Sequence, residues 1–117
     1  MSKSNQLETD VLAYVFTATA PAWAAATELD LHLHTADPGE GSASTVNEAT
    51  YTSYLPVTVD RAATDWTVTG DSCTNDNLIQ WPQCTGGTNA ITHVSVTAQG
   101  STVILYIHAL SSTLNVS

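Results

Sequence analysis

Positive charge is almost missing from this chain. Lys3 and Arg61 are the only cations among 117 residues, set against eleven Asp and Glu side chains, for a formal net charge of −9. Recognition of a phosphate backbone needs Lys and Arg to displace its counterions, so no nucleic-acid partner is expected. An anionic membrane surface repels the chain for the same reason, and no membrane partner is expected either. Charge of either sign is scarce: 11% of residues are charged, less than half the ~25% usual for globular domains. At 43% hydrophobic residues, the chain is still too apolar to remain disordered. Its surface must then be built from Thr, Ser, Asn and small side chains, which suit β-sheets.

Long apolar runs are also lacking. The uncharged stretch from Val11 to Ala26 is interrupted by Pro21 and is shorter than the ~20 residues of a membrane helix. The opening MSKSNQLETD has no apolar segment after its charge and carries Glu8 and Asp10, so it does not read as a secretory leader. The expectation is synthesis in a cytoplasm, with any other destination reached by assembly. There are two cysteines, Cys73 and Cys84, and no CxxC pair, which leaves a zinc site weakly supported. Free thiols are the expected state for a protein made in a reducing compartment. One disulfide between the two is the alternative if they flank a hairpin.

The motifs of catalysis are absent: no G-x-S-x-G elbow, no H-E-x-x-H and no phosphate loop. Cys84 and His93 make a formal thiol–imidazole pair, but nothing in the sequence orients one towards the other. No enzyme activity, cofactor or metal is expected.

What the sequence does contain is a change of period. In NQLETDVLAYVFT, residues 5–17, Leu7, Val11 and Val15 form one i, i+4 stripe, and Leu12 and Phe16 form a neighbouring one. This predicts a helix with a broad apolar face. Ser4 or Asn5 can cap its start, and Glu8 and Asp10 suit the positive end of its dipole. Residues 18–27 read as a connector anchored by Trp23. From residue 28 the period becomes 2. ELDLHLHT places Leu29, Leu31 and Leu33 on one face and Glu28, Asp30, His32 and His34 on a wet one.

Residues 36–52, ADPGEGSASTVNEATYT, form a long loop rich in turn formers. In a small domain, such a loop is expected to be functional or a mobile contact arm. Further strands are expected at YLPVTVD (54–60, with Leu55, Val57 and Val59 inward), DWTVTGD (65–71), NLIQWPQ (77–83), ITHVSVTAQ (91–99) and TVILYIHAL (102–110), with TLNVS as a final one. QGS at 99–101 makes the last long pair a hairpin. TVILYIHAL, apolar on both faces, should be a central strand covered on both faces. The fold class is therefore mainly β, an antiparallel β-sandwich or small barrel with one N-terminal α-helix, in a single domain over residues 1–117.

Two polar clusters invite a ligand. His32 and His34 share a strand face and could chelate a metal with Asp30 or Asp37. The plainer reading is the polar outer face of a half-buried strand. Residues 71–77, DSCTNDN, are loosely calcium-like but lack the glycine and terminal glutamate of an EF-hand loop, and a polar hairpin turn accounts for them. His93 and His108 fall on the two strands of the expected hairpin as possible cross-strand neighbours.

The stretches LHTADPGE (33–40), NEATYTSY (47–54), WTVTG (66–70) and QCTGGTNAITH (83–93), closed by ILYIHALSSTLNVS (104–117), occur in that order. Together they resemble a family of small tailed-bacteriophage virion proteins commonly labelled phage tail fibre proteins. The resemblance covers most of residues 28–117 and implies membership of a virion, with no catalytic residues to carry over. Cys84 lies in the family-like CTGG turn, whereas Cys73 is particular to this chain.

A fibre shaft needs a repeat, a coiled coil or a β-helix, and this chain has neither repeat nor heptads. Its size suggests instead a capsid decoration, or cement, protein on the outer head surface, contacting the major capsid protein and copies of itself as a dimer or trimer. The alternative is a tail-fibre or tail-tip component, with Trp23, Trp66 or Trp81 available to host-surface glycans. The helix and the long loop are the expected contact elements. Their candidate residues are Leu7, Val11, Val15, Trp23, Asp37, Pro38, Glu40, Glu48 and Tyr51.

Overall fold

The computed structural model describes residues 1–117. The chain enters as a two-residue strand, β1 (Ser2–Lys3), and passes directly into helix α1 (Asn5–Thr17). Ser4 is the N-cap, its hydroxyl accepting from the Leu7 N–H at 3.1 Å while its own N–H donates to Leu105 O at 2.8 Å. One residue thus closes the helix start and ties it to the last strand. The helix stops at Ala18, which takes the left-handed conformation at φ 54° and ψ 27°. A Cβ is disfavoured there, and glycine is the usual occupant of a left-handed helix end. Ala18→Gly is therefore expected to stabilise the fold by about 1 kcal/mol. Thermal unfolding checks this: the midpoint should rise by roughly 3–5 °C, and an unchanged or lower midpoint would contradict it.

A 3-10 turn at Ala22–Ala25 follows, anchored through Trp23 as expected. The Trp23 indole N–H donates to Asp10 Oδ2 at 2.8 Å. Arg61 donates to Trp23 O at 2.8 Å and also reaches the carbonyl of Ala26, with its guanidinium 5.9 Å from the indole centroid. One of the two cations is thereby committed to carbonyls and a ring face that need it.

The strands are β2 (Glu28–His34), β3 (Val57–Asp60), β4 (Trp66–Thr69), β5 (Ser72–Asn75), β6 (Asn89–Ala98) and β7 (Ile104–Val116). Five of them form one open antiparallel sheet in the order β1-β7-β6-β2-β3; β4 and β5 form a separate hairpin. The architecture is mainly β with one helix near the N-terminus and no closed barrel, within the expected fold class. The β6–β7 hairpin turns where QGS predicts, with Gly100 at φ 78°. β7 lies inside the sheet between β1 and β6, but it is not covered on both faces as expected: only Ile104, Leu105 and Ile107 are buried, because the helix and the connection cover just its first part. The expected last strand, TLNVS, is its continuation beyond a bulge, where Thr92 alone faces Leu110 to Thr113 between the pairs Ile91↔Leu114 and His93↔Ala109.

Four other strand expectations are corrected. NLIQWPQ (77–83) holds no strand; Pro82 removes a donor, and the Trp81 indole reaches Leu31 O at 3.1 Å, pulling the segment across the sheet rather than into it. Leu55 lies outside β3 and is 65% exposed. Residues 72–75 form a strand, because Gly70 at φ 62° lets the chain reverse over Gly70 and Asp71 and pair Thr69 with Ser72. His93 and His108 are not partners: His93 pairs with Ala109 on one side and His34 on the other.

The core is thin. Leu33, Ala49, Tyr51 and Ile91 form its centre, with Tyr54, Trp81 and Cys84 packed around it. Ala49, Tyr51 and Tyr54 come from the long 35–56 connection, which is pinned rather than mobile. Ala49 N–H donates to Leu33 O at 2.8 Å, Thr35 N–H to Asn47 O at 2.9 Å, and Ser44 N–H to Thr102 O at 2.9 Å. Asn89 Oδ1 accepts from both Thr50 and Tyr51 N–H at 2.8 Å. The connection serves as the covering layer for one end of the sheet.

Candidate functional site

The covering layer changes the meaning of the histidine pair. His32 and His34 were expected on a wet face; they are 6% and 0% exposed. His34 Nδ1 lies 2.9 Å from Val46 O, so that nitrogen carries the proton and Nε2 accepts from the Ser95 hydroxyl at 2.7 Å. His32 faces Glu48 Oε1 through Nδ1 and Thr97 Oγ1 through Nε2, both at 3.1 Å. Register explains the partners. His32 sits opposite Ser95 in the β2–β6 ladder, so Ser95 and Thr97 share its face of the sheet.

All four imidazole nitrogens are thus engaged by the protein, and burial lowers the His34 pKa below its ordinary value. The carboxylates proposed alongside them are engaged too. Asp30 accepts from the Thr58 hydroxyl at 2.7 Å and Asp37 from the Gly39 N–H at 2.8 Å. The cluster is a closed polar layer of the fold. Next to it, Tyr54 accepts from the Leu33 N–H at 3.0 Å, and burial pushes its hydroxyl pKa well up.

Cys73 and Cys84 are both free thiols, Cys73 on the exposed face of β5 and Cys84 donating to Gly86 O at 3.2 Å. The contact candidates divide sharply by exposure. Leu7 is 4% and Tyr51 5% exposed, and Pro38 is buried, so these three serve the core and are withdrawn as partner contacts. Leu7 is the single buried residue of α1, packed where the helix begins beside β7. Pro38 is held by the turn that places Glu40 O against the Asn5 N–H at 3.0 Å. Trp23 and Glu48 are half-buried and already hydrogen-bonded; Asp37 and Glu40 are exposed, and Glu40 is bound by the Ser2 hydroxyl.

Val11 and Val15, 43% and 66% exposed, do face outward. They are joined by three residues that the sequence reading did not single out as contacts: Leu12 at 59%, Tyr14 at 58% and Phe16 at 79%. The helix anchors through its first turn and presents VLAYVF almost bare. Beside this row lies a groove of about 340 Å³ between α1 and the 3-10 turn, walled by Tyr14, Val15, Pro21 and Trp23, with Asp10 and Arg61 at its polar end. The signal was present in the sequence. A helix apolar around more than half its circumference needs cover on two sides, and a thin sheet supplies one.

A family model described as podophage GP4 fiber I protein gp80 matches residues 2–117. No curated protein matches the chain. The match spans all but the first residue, and the chain belongs to this family. It is a bacteriophage virion structural protein of the fibre type.

Proposed function

We propose that this member of the podophage fiber I family is a component of the tail fibre that works through protein contact rather than through chemistry. The family favours the tail over the head, so the capsid-decoration role expected from size gives way to the fibre alternative. A short chain without a repeat cannot itself be a long shaft, but it can be a module joined to one.

The observation that carries the contact reading is the bare row Val11, Leu12, Tyr14, Val15 and Phe16 on α1. It offers roughly 500–600 Å² of largely apolar surface, given that a buried aromatic contributes 150–250 Å². The largest apolar patch on a typical monomer is about 300–600 Å² and is often functional. Much of the remaining surface is acidic and rich in Thr and Ser, which favours solubility, with Leu55, Val68 and Leu78 as further exposed apolar side chains.

Quantitative mass spectrometry of intact virions, and of separated heads and tails, tests this placement. The expected result is a few to a few dozen copies per particle, recovered with tails. Recovery with heads at a stoichiometry near that of the major capsid protein would overturn it.

A further inference from the structure

We infer that the free edge of β3 is a docking site for a basic, extended segment of a partner protein, which joins the five-stranded sheet as a sixth strand. The site shares no residue with the row on α1 and adds a second contact to it. β3 ends the sheet order, with β2 as its one neighbour. Gln99 N–H donates to Glu28 O and Arg61 N–H to Thr27 O. By alternation, Leu29 and Leu31 turn their backbone groups towards β3 and pair with Val59 and Val57. Thr58 and Asp60 therefore direct theirs away from β2. The Trp66 indole takes Asp60 O at 3.0 Å. Thr58 N–H, Thr58 O and Asp60 N–H remain open, a row that the backbone of an added strand matches.

A groove of about 260 Å³ runs along this edge. Val57, Thr58, Val59 and Asp60 all line it, whereas a groove over one face of the strand would meet alternate residues. Its far wall includes Leu78 and Ile79, whose N–H and C=O groups also make no backbone hydrogen bond. A strand seated here has unpaired backbone on either side, and Leu78, 86% exposed, stands beside it as apolar cover.

Charge selects the occupant. Asp60 lies directly opposite Glu28 in the β2–β3 ladder, and like charges so placed destabilise a sheet. Neither carboxylate has a cation beside it. The one ion pair of the structure joins His32 and Glu48, and Arg61 is turned to the carbonyls of Trp23 and Ala26. Asp65 adds its carboxylate to the groove wall. A lysine or arginine across from Asp60 relieves this repulsion. The formal −9 of the chain draws a basic segment to the edge and repels a second copy.

Amide hydrogen exchange, followed by nuclear magnetic resonance on the full chain, gives the test. The probe is a synthetic octapeptide that alternates lysine with valine or threonine. At millimolar peptide, the Thr58 and Asp60 amides, freely exchanging in the chain alone, should become protected. The same peptide N-methylated at its lysines keeps the charge and loses the donors; a glutamate version keeps the donors and reverses the charge. Neither should protect these amides. Asp60→Lys should weaken binding at least ~10-fold with an unchanged circular dichroism spectrum, because Asp60 is exposed and the substitution places a cation opposite Glu28. Absence of protection overturns the inference, as does protection by either control peptide or binding indifferent to Asp60→Lys. Each of these would leave the tail-fibre placement standing, since that is read from virion fractions.

Discussion

Ile91→Ala is expected to lower the unfolding free energy by about 3–5 kcal/mol. Ile91 is fully buried near the start of β6, where it packs with Leu33 of β2 and with Ala49 and Tyr51 of the covering connection. Removing its branched side chain forfeits hydrophobic transfer and leaves a cavity lined by groups that are themselves fixed. Tyr51 cannot swing in, because its hydroxyl donates to Pro82 O at 2.8 Å and its N–H is held by Asn89. Leu33 is locked in the β2–β6 ladder.

Only 17 of 117 residues are buried, so few other contacts can absorb the loss. Small domains have total stabilities of about 5–15 kcal/mol, and this single substitution would consume a large share. Urea unfolding followed by tryptophan fluorescence should show the midpoint falling sharply; a loss below about 1 kcal/mol would mean that the cluster relaxes around the missing atoms. Ile91→Val, which deletes one methylene, should cost about 1 kcal/mol by the same reasoning.

The period-3.6 run at 5–17 and the period-2 run at 28–34 are legible because each pattern reports a repeating backbone geometry. Ser4 as cap and Gly100 as turn follow from local chemistry alone. Burial is a different matter. ELDLHLH states which residues share a face, and not what lies over that face. His32 and His34 read as wet because the second layer is an irregular connection with no period of its own, joined to β2 through Ala49, Asn47 and Glu48. The same limit explains α1. Its stripes show that something apolar covers the helix, and cannot distinguish the chain's own sheet, which takes Leu7, from another molecule, to which Phe16 remains open. NLIQWPQ misleads for a third reason: its apolar residues are tethers, with Trp81 aimed at a strand carbonyl, and tethering leaves no periodic trace.

Acidification is expected to destabilise the wild type more steeply than His34→Gln. His34 is held neutral in the folded protein: burial outweighs the neighbouring Glu48 carboxylate, and His32 and His93 oppose protonation further. Its folded pKa therefore lies below the 6.5 of the unfolded chain. Above pH 6.5 neither state binds the proton, and the full stability is present. As pH falls below 6.5 the unfolded chain takes up a proton that the folded chain refuses, and stability declines with a limiting slope of about 1.4 kcal/mol per pH unit. The decline ends once the folded pKa is passed. Glutamine has no such equilibrium, so the difference between the two proteins isolates this residue from the carboxylates that titrate in both.

The substitutions themselves are costly at neutral pH. His34→Ala should remove about 3 kcal/mol, because it opens a cavity and leaves the Ser95 hydroxyl, in a residue with no exposed surface, without its acceptor. Gln can restore one of the two hydrogen bonds and should lose less. Thermal melts of wild type and His34→Gln between pH 7.5 and 5 supply the measurement. The gap between their midpoints should narrow as pH falls, and a gap that stays constant or widens would show that the imidazole is accommodated in its charged form. A fibre protein with this layer would hold its sheet and its covering connection together most firmly at neutral and higher pH. The β6 positions that decide it are Ser95 and Thr97, whose hydroxyls make a buried imidazole tolerable.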